Sequence, residues 1–121
     1  VCSAMKGEAI TPQWLFECAA IAPRGNVPWG QEVIDDRPGV YVISIDDIAR
    51  RGQPVIYIGR SKRLKARINQ FYRHKYGRKG PHRGGQEILM LPGKKTVHWA
   101  VGADYARIER IMLEAFLHAT G

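Results

Sequence analysis

Cysteine is scarce in this chain of 121 residues: Cys2 and Cys18 are the only two, and their spacing matches no zinc pattern. With no sign of secretion a structural disulfide is not expected, and the two read as a terminal thiol and a small helix residue. No run approaches the ~20 apolar residues that a membrane-spanning helix requires, so no membrane partner is expected. The segment from Ala9 to Glu17 carries polar and acidic residues and lacks the cationic start and long apolar middle of a secretory signal. A cytoplasmic protein is therefore expected. The histidines, His74, His82, His98 and His118, show no metal-ligand spacing, and no internal repeat or low-complexity tract is present. The most telling shortage is of acids, because none occurs between Asp47 and Glu87.

What fills that interval is positive charge. Twelve of the nineteen Lys and Arg residues lie there: Arg50, Arg51, Arg60, Lys62, Arg63, Lys65, Arg67, Arg73, Lys75, Arg78, Lys79 and Arg83. Within a net charge of +8, such segregation builds a one-signed field that attracts a polyanion in a salt-dependent way. Phe71, Tyr72 and Tyr76 are interleaved with these charges, which suits packing against sugars or exposed bases. The length fits one compact domain, and 45% hydrophobic with 25% charged residues is the composition of a globular chain. The start at Val1 and the stop at Gly121, directly after a helical pattern, lead us to expect a piece of a longer chain.

Periodicity outlines the elements. Thr11 as cap, Pro12 at the first helical position, and Trp14, Leu15, Cys18 and Ile21 at helical spacing predict an opening helix. Pro23, Gly25, Pro28 and Gly30 predict a connecting loop. The β-branched run after Pro38-Gly39 and the segment Val55-Ile56-Tyr57-Ile58 predict two antiparallel strands, with Gly59 closing the second. Ser61 then caps a helix of about three turns with Leu64, Ile68 and Phe71 on its apolar side. A loop or flap is expected from Tyr76 to Gly85, a short helix from Glu87 to Leu91, a third strand from Thr96 to Val101, and a last helix from Asp104 to about His118. The expected class is α+β, a three-stranded sheet flanked by helices, with residues 1–37 as a helical extension packed on a domain of residues 38–121.

The chemistry rests on Gly39-Val40-Tyr41, Tyr57-Ile58-Gly59, Arg67 and Glu109. Singly these are ordinary: strand tyrosines pack in sheets, and Arg67 and Glu109 suit a solvated surface, Glu109 beside Arg110 or Lys95. Jointly they offer a proton acceptor, a phosphate clamp and a metal ligand, which is the minimum for cutting a phosphodiester. Arg67 would hold the phosphate with its planar fork. Arg60 stands near enough in sequence to Tyr57 to lower the pKa of that phenol by its charge. We assign Tyr41 as the base and Tyr57 as its hydrogen-bonded partner, with the reverse assignment open.

These residues, in this order, resemble the GIY-YIG nuclease superfamily over roughly residues 38–118. In the resemblance Arg67 stands at the family's helical arginine, Arg60 where a lysine often stands, and Glu109, not Glu114, at the metal-binding glutamate. It implies a metal-dependent endonuclease acting on DNA with one Mg²⁺ or Mn²⁺ ion on Glu109, associated with the nucleoid when bound, as a monomer or a DNA-bound dimer. Lys62, Arg63, Lys65, Arg73, Lys75, Arg78, Lys79, His82 and Arg83 are the expected DNA contacts. Many members carry a tyrosine or histidine four residues after the helical arginine, where this chain has Phe71, with Tyr72 or His74 as stand-ins. Many also have an asparagine about a dozen residues beyond the glutamate, where this chain reaches Gly121. The alternative function is a DNA-binding module on the same fold with weak activity or none.

Overall fold

The computed structural model describes residues 9–46, 53–73 and 93–120. The elements run α1 (Pro12–Cys18), β1 (Gly25–Pro28), β2 (Gly39–Ile45), β3 (Val55–Ser61), α2 (Leu64–Arg73), β4 (Lys95–Val101) and α3 (Tyr105–Thr120). The four strands form one antiparallel sheet in the order β1-β4-β2-β3. The class is α+β as expected, but the sheet has a fourth strand. Gly25 to Pro28, read as loop because of its breakers, pairs along β4 from Gly25↔Trp99 to Pro28↔Thr96. Proline is tolerated there because an edge strand leaves some N–H groups facing away from the ladder. The residues before Pro38 therefore contribute both a helix and a sheet strand, not a helical extension alone.

Local chemistry explains the elements. Thr11 caps α1 by accepting a hydrogen bond from the Trp14 amide at 3.1 Å, with Pro12 in the first turn. β2 is the central strand in burial: six of its seven residues are buried, because helices cover both faces of the sheet. On one face α1 and α3 pack Leu15, Phe16, Ile108 and Met112 against Val40, Val42 and Ala100. On the other, α2 packs Leu64, Ile68 and Phe71 against Tyr41, Ile43, Val97 and Trp99. Trp99 is buried in the sheet as its strand position predicts. No described helix is long and apolar enough to cross a membrane.

Three local expectations change. β3 does not close at Gly59 but runs on to Ser61. Ser61 is not the cap of α2; its hydroxyl bonds to the Arg63 backbone, accepting from its N–H and donating to its C=O at 3.0 Å each. The cap comes instead from Asp36, whose Oδ1 accepts the Ala66 amide at 3.1 Å. Cys18, read as a small helix residue with no structural disulfide expected, is disulfide-bonded. Its exclusion rested on compartment, and residue spacing does not report the separation of cysteines in the fold. Cys2, Arg50, Arg51, the loop from Tyr76 to Gly85 and the short helix from Glu87 to Leu91 lie outside the described residues.

Candidate functional site

The two glycine-tyrosine signatures lie side by side because β2 and β3 pair in the register Gly39↔Ser61, Val40↔Arg60 and Tyr41↔Gly59. Each glycine has a steric reason. A Cβ at Gly59 would lie 2.6 Å from the Tyr41 hydroxyl oxygen and 2.9 Å from its Cε1, so the phenol ring lies flat across the glycine. A Cβ at Gly39 would press into the Ala100 carbonyl and stand 2.9 Å from Leu64 Cδ1. The glycine-tyrosine spacing thus encodes a buried ring laid across a neighbouring strand.

Around that ring the structure gathers Tyr57, Arg67 and Phe71. Tyr41 and Tyr57, two residues apart across the register, stack with centroids 5.9 Å apart and planes at 19°. Phe71 meets both edge-on, at 5.9 and 5.2 Å. The Arg67 Nε donates to the Tyr41 Oη at 3.4 Å, and its guanidinium carbon sits 5.9 Å from the Phe71 ring centroid. Phe71, read as a departure that removes a proton-transfer group, is the fully buried floor against which the other three pack. Tyr72, named as a stand-in for it, is already engaged. Its hydroxyl donates to the Gln31 carbonyl at 2.8 Å, and burial raises its pKa. His74 lies outside the described residues.

Burial also separates the two phenols in role. Tyr41 is 0% exposed, and its pKa is pushed well above the ordinary phenol range, mainly by desolvation and next by the facing Tyr57, against a smaller lowering by Arg67. It is held as a neutral hydroxyl, which runs against its assignment as the base. Tyr57 is only half-buried.

Arg60 and Glu109 form a second group. Side chains alternate along β3, so Arg60 faces away from the side that carries Tyr57 and Gly59, toward α3. There its Nε stands 3.7 Å from Glu109 Oε1. Arg60 is thus the partner of Glu109 rather than a cation set against Tyr57. Glu109 is 20% exposed, and desolvation raises its pKa while Arg60 partly offsets the rise. The two groups meet β3, the terminal strand of the sheet among the described residues, from its opposite faces.

The basic residues divide by partner. Arg63 forks onto Asp36 Oδ2 at 3.0 and 2.8 Å, and Lys65 reaches Glu32 at 2.8 Å. Lys62 and Arg73 are exposed, with no acidic partner among the described residues. Lys75, Arg78, Lys79, His82 and Arg83 lie outside them. The acids Glu32, Asp35 and Asp36 were not among the expected site residues. Their signal was a cluster of acids directly before the first motif, set against the acid-free stretch after it.

Among the described residues no three His, Cys, Asp or Glu side chains gather into a metal cluster. A metal here would meet a single carboxylate, that of Glu109. A half-buried carboxylate with a raised pKa gains from a nearby cation, and one carboxylate suits Mg²⁺, which keeps several waters and takes phosphate oxygens as further ligands. Comparison with protein-family models, with curated proteins and with solved structures yields no match for this chain.

Proposed function

We propose that this protein is a metal-dependent endonuclease that hydrolyses DNA phosphodiester bonds at the β3 edge, in the manner its resemblance to GIY-YIG nucleases implies. The observation that carries the reading is the contact of Arg67 with Tyr41, with Tyr57 stacked on Tyr41 and Gly59 beneath it. Packing alone accounts for a buried tyrosine over a glycine. It does not call for a guanidinium at the rim of the same ring.

Arg67 is the phosphate clamp in this reading, because its planar fork matches phosphate oxygens. Tyr41 supplies a neutral hydroxyl that orients Arg67 from below. Tyr57, nearer to solvent, takes the proton of the attacking water as a phenolate and becomes the neutral phenol, which reverses the assignment made from sequence. Glu109 would hold one divalent ion, Mg²⁺ or Mn²⁺, which would supply positive charge against the phosphate and the leaving oxygen. Arg60 keeps Glu109 ionised and turned toward β3. Lys62 and Arg73, exposed and with no acidic partner among the described residues, meet flanking phosphates, whereas Arg63 and Lys65 are already engaged by acids.

The test is nicking of supercoiled plasmid DNA in Mg²⁺ against EDTA, with Glu109→Ala beside the parent and DNA binding measured in parallel. The expected result is Mg²⁺-dependent nicking that Glu109→Ala loses by at least about a hundredfold while binding stays within a few fold. Salt-dependent binding without cleavage in any divalent metal would leave the binding-module reading in its place.

A further inference from the structure

We infer that Asp36 is the positioning residue of Arg67: one carboxylate, outside the segment that resembles the nuclease family, sets the first turn of α2 against the strand that carries Tyr41. This rests on the endonuclease reading above.

The first N–H groups of a helix have no partner within it, and their direction is fixed by whatever accepts them. In α2 two of these partners come from residues 36 and 37. The Leu64 amide donates to the Arg37 carbonyl at 3.2 Å, and the Ala66 amide donates to Asp36 Oδ1 at 3.1 Å. The second oxygen of Asp36 accepts from two of the Arg63 guanidinium nitrogens, so neither carboxylate oxygen is idle. The supporting segment is itself pinned. Asp35 Oδ1 accepts two bonds from Arg37, at 3.0 and 2.6 Å, and its Oδ2 accepts the Trp99 indole N–H at 3.0 Å. The Pro38 carbonyl accepts the Gly102 amide at 2.9 Å.

This bracket joins two parts of the site. Three residues after Asp36 the chain becomes β2 and places Tyr41. One residue after Ala66 comes Arg67. The Arg67–Tyr41 contact, at 3.4 Å, is at the long end of hydrogen bonding, so a small rotation of the first turn of α2 removes it. Asp36 bonds to the Ala66 amide and to Arg63, and acts by fixing the helix. Its carboxyl is held below the ordinary range, first by the Ala66 amide and then by Arg63, so it stays ionised throughout the neutral range.

The experiment is a double-mutant cycle on duplex cleavage with Asp36→Ala, Arg67→Ala and both, together with Asp36→Asn and Asp36→Glu. Asp36→Ala is expected to lower kcat by tenfold or more with KM within threefold. In the Arg67→Ala background the same change should lower the residual rate by less than twofold. Asp36→Asn keeps an oxygen for the Ala66 amide and should stay within threefold of the parent. Asp36→Glu keeps the charge but displaces the acceptor and should lose kcat as Asp36→Ala does; it carries the cycle if Asp36→Ala does not fold. Equal losses in both backgrounds, or parental cleavage by Asp36→Ala and Asp36→Glu while Arg67→Ala is impaired, would overturn the positioning role alone. Parental cleavage by Arg67→Ala would overturn the assignment of Arg67 as the clamp and this role with it, and absence of cleavage by the parent would overturn the endonuclease reading and this role together.

Discussion

Replacing Gly59 by alanine adds one methyl group at the point where the Tyr41 ring crosses β3. That carbon would stand 2.6 Å from the hydroxyl oxygen and 2.9 Å from Cε1, whereas ordinary contact begins at 3.4 Å. The ring must withdraw by roughly an ångström, but Tyr57 stacks on it and Phe71 closes its edge, so the displacement propagates into a packed cluster. Overpacking of this kind costs about 1–3 kcal/mol, against a gain of about 0.5–1 kcal/mol from replacing a strand glycine by alanine. A net loss of about 1–2 kcal/mol is expected, which at this length lowers Tm by roughly 4–8 °C. Chemical denaturation followed by circular dichroism measures it, in the parent and in a Tyr41→Ala background. With the ring gone, Gly59→Ala should cost nothing or stabilise by a few tenths of a kcal/mol. An equal cost in both backgrounds would refute the steric account of the motif.

Two further outcomes test the electrostatics. Burial lowers the His98 pKa from 6.5, so the unfolded chain binds more protons than the folded one just below that value. Stability should therefore be full above pH 6.5 and fall as the pH drops below it. The raised pKa of Glu109 acts in the opposite direction at lower pH, so the difference between parent and His98→Gln in denaturation midpoints isolates the histidine. In DNA binding, Lys62→Gln and Arg73→Gln should each reduce the slope of log affinity against log salt by about 1, and Arg63→Gln and Lys65→Gln by less, because Asp36 and Glu32 already hold them. Equal slopes for all four variants would show that these internal ion pairs do not compete with phosphate.

The elements legible in the sequence were those written in periodicity. The strand runs around Tyr41, Tyr57 and Trp99, the cap at Thr11 and the apolar side of α2 stand where their patterns place them. What sequence reasoning missed was set by contacts between distant segments. β1 looked like a loop because Gly25 and Pro28 break regular structure, and only pairing with β4 makes them a strand. Asp36 gave no local sign of capping a helix that begins twenty-eight residues later, and Ser61, which gave that sign, bonds its own turn instead. The roles of Arg60 and Tyr41 shifted for related reasons. Strand alternation sends Arg60 to the other face, and burial, which no residue name reveals, keeps the Tyr41 phenol neutral. Phe71 looked like a missing group and is the floor of the aromatic cluster.

The most direct test of the proposed site is the single-turnover cleavage rate of Arg67→Ala on duplex DNA in Mg²⁺, relative to the parent and to Arg67→Lys. A clamp on the scissile phosphate predicts a loss of about a hundredfold or more for alanine, with only partial recovery by lysine, which lacks the planar fork. A parental rate for Arg67→Ala would contradict the account, because the contact between Arg67 and Tyr41 would then be packing and nothing more.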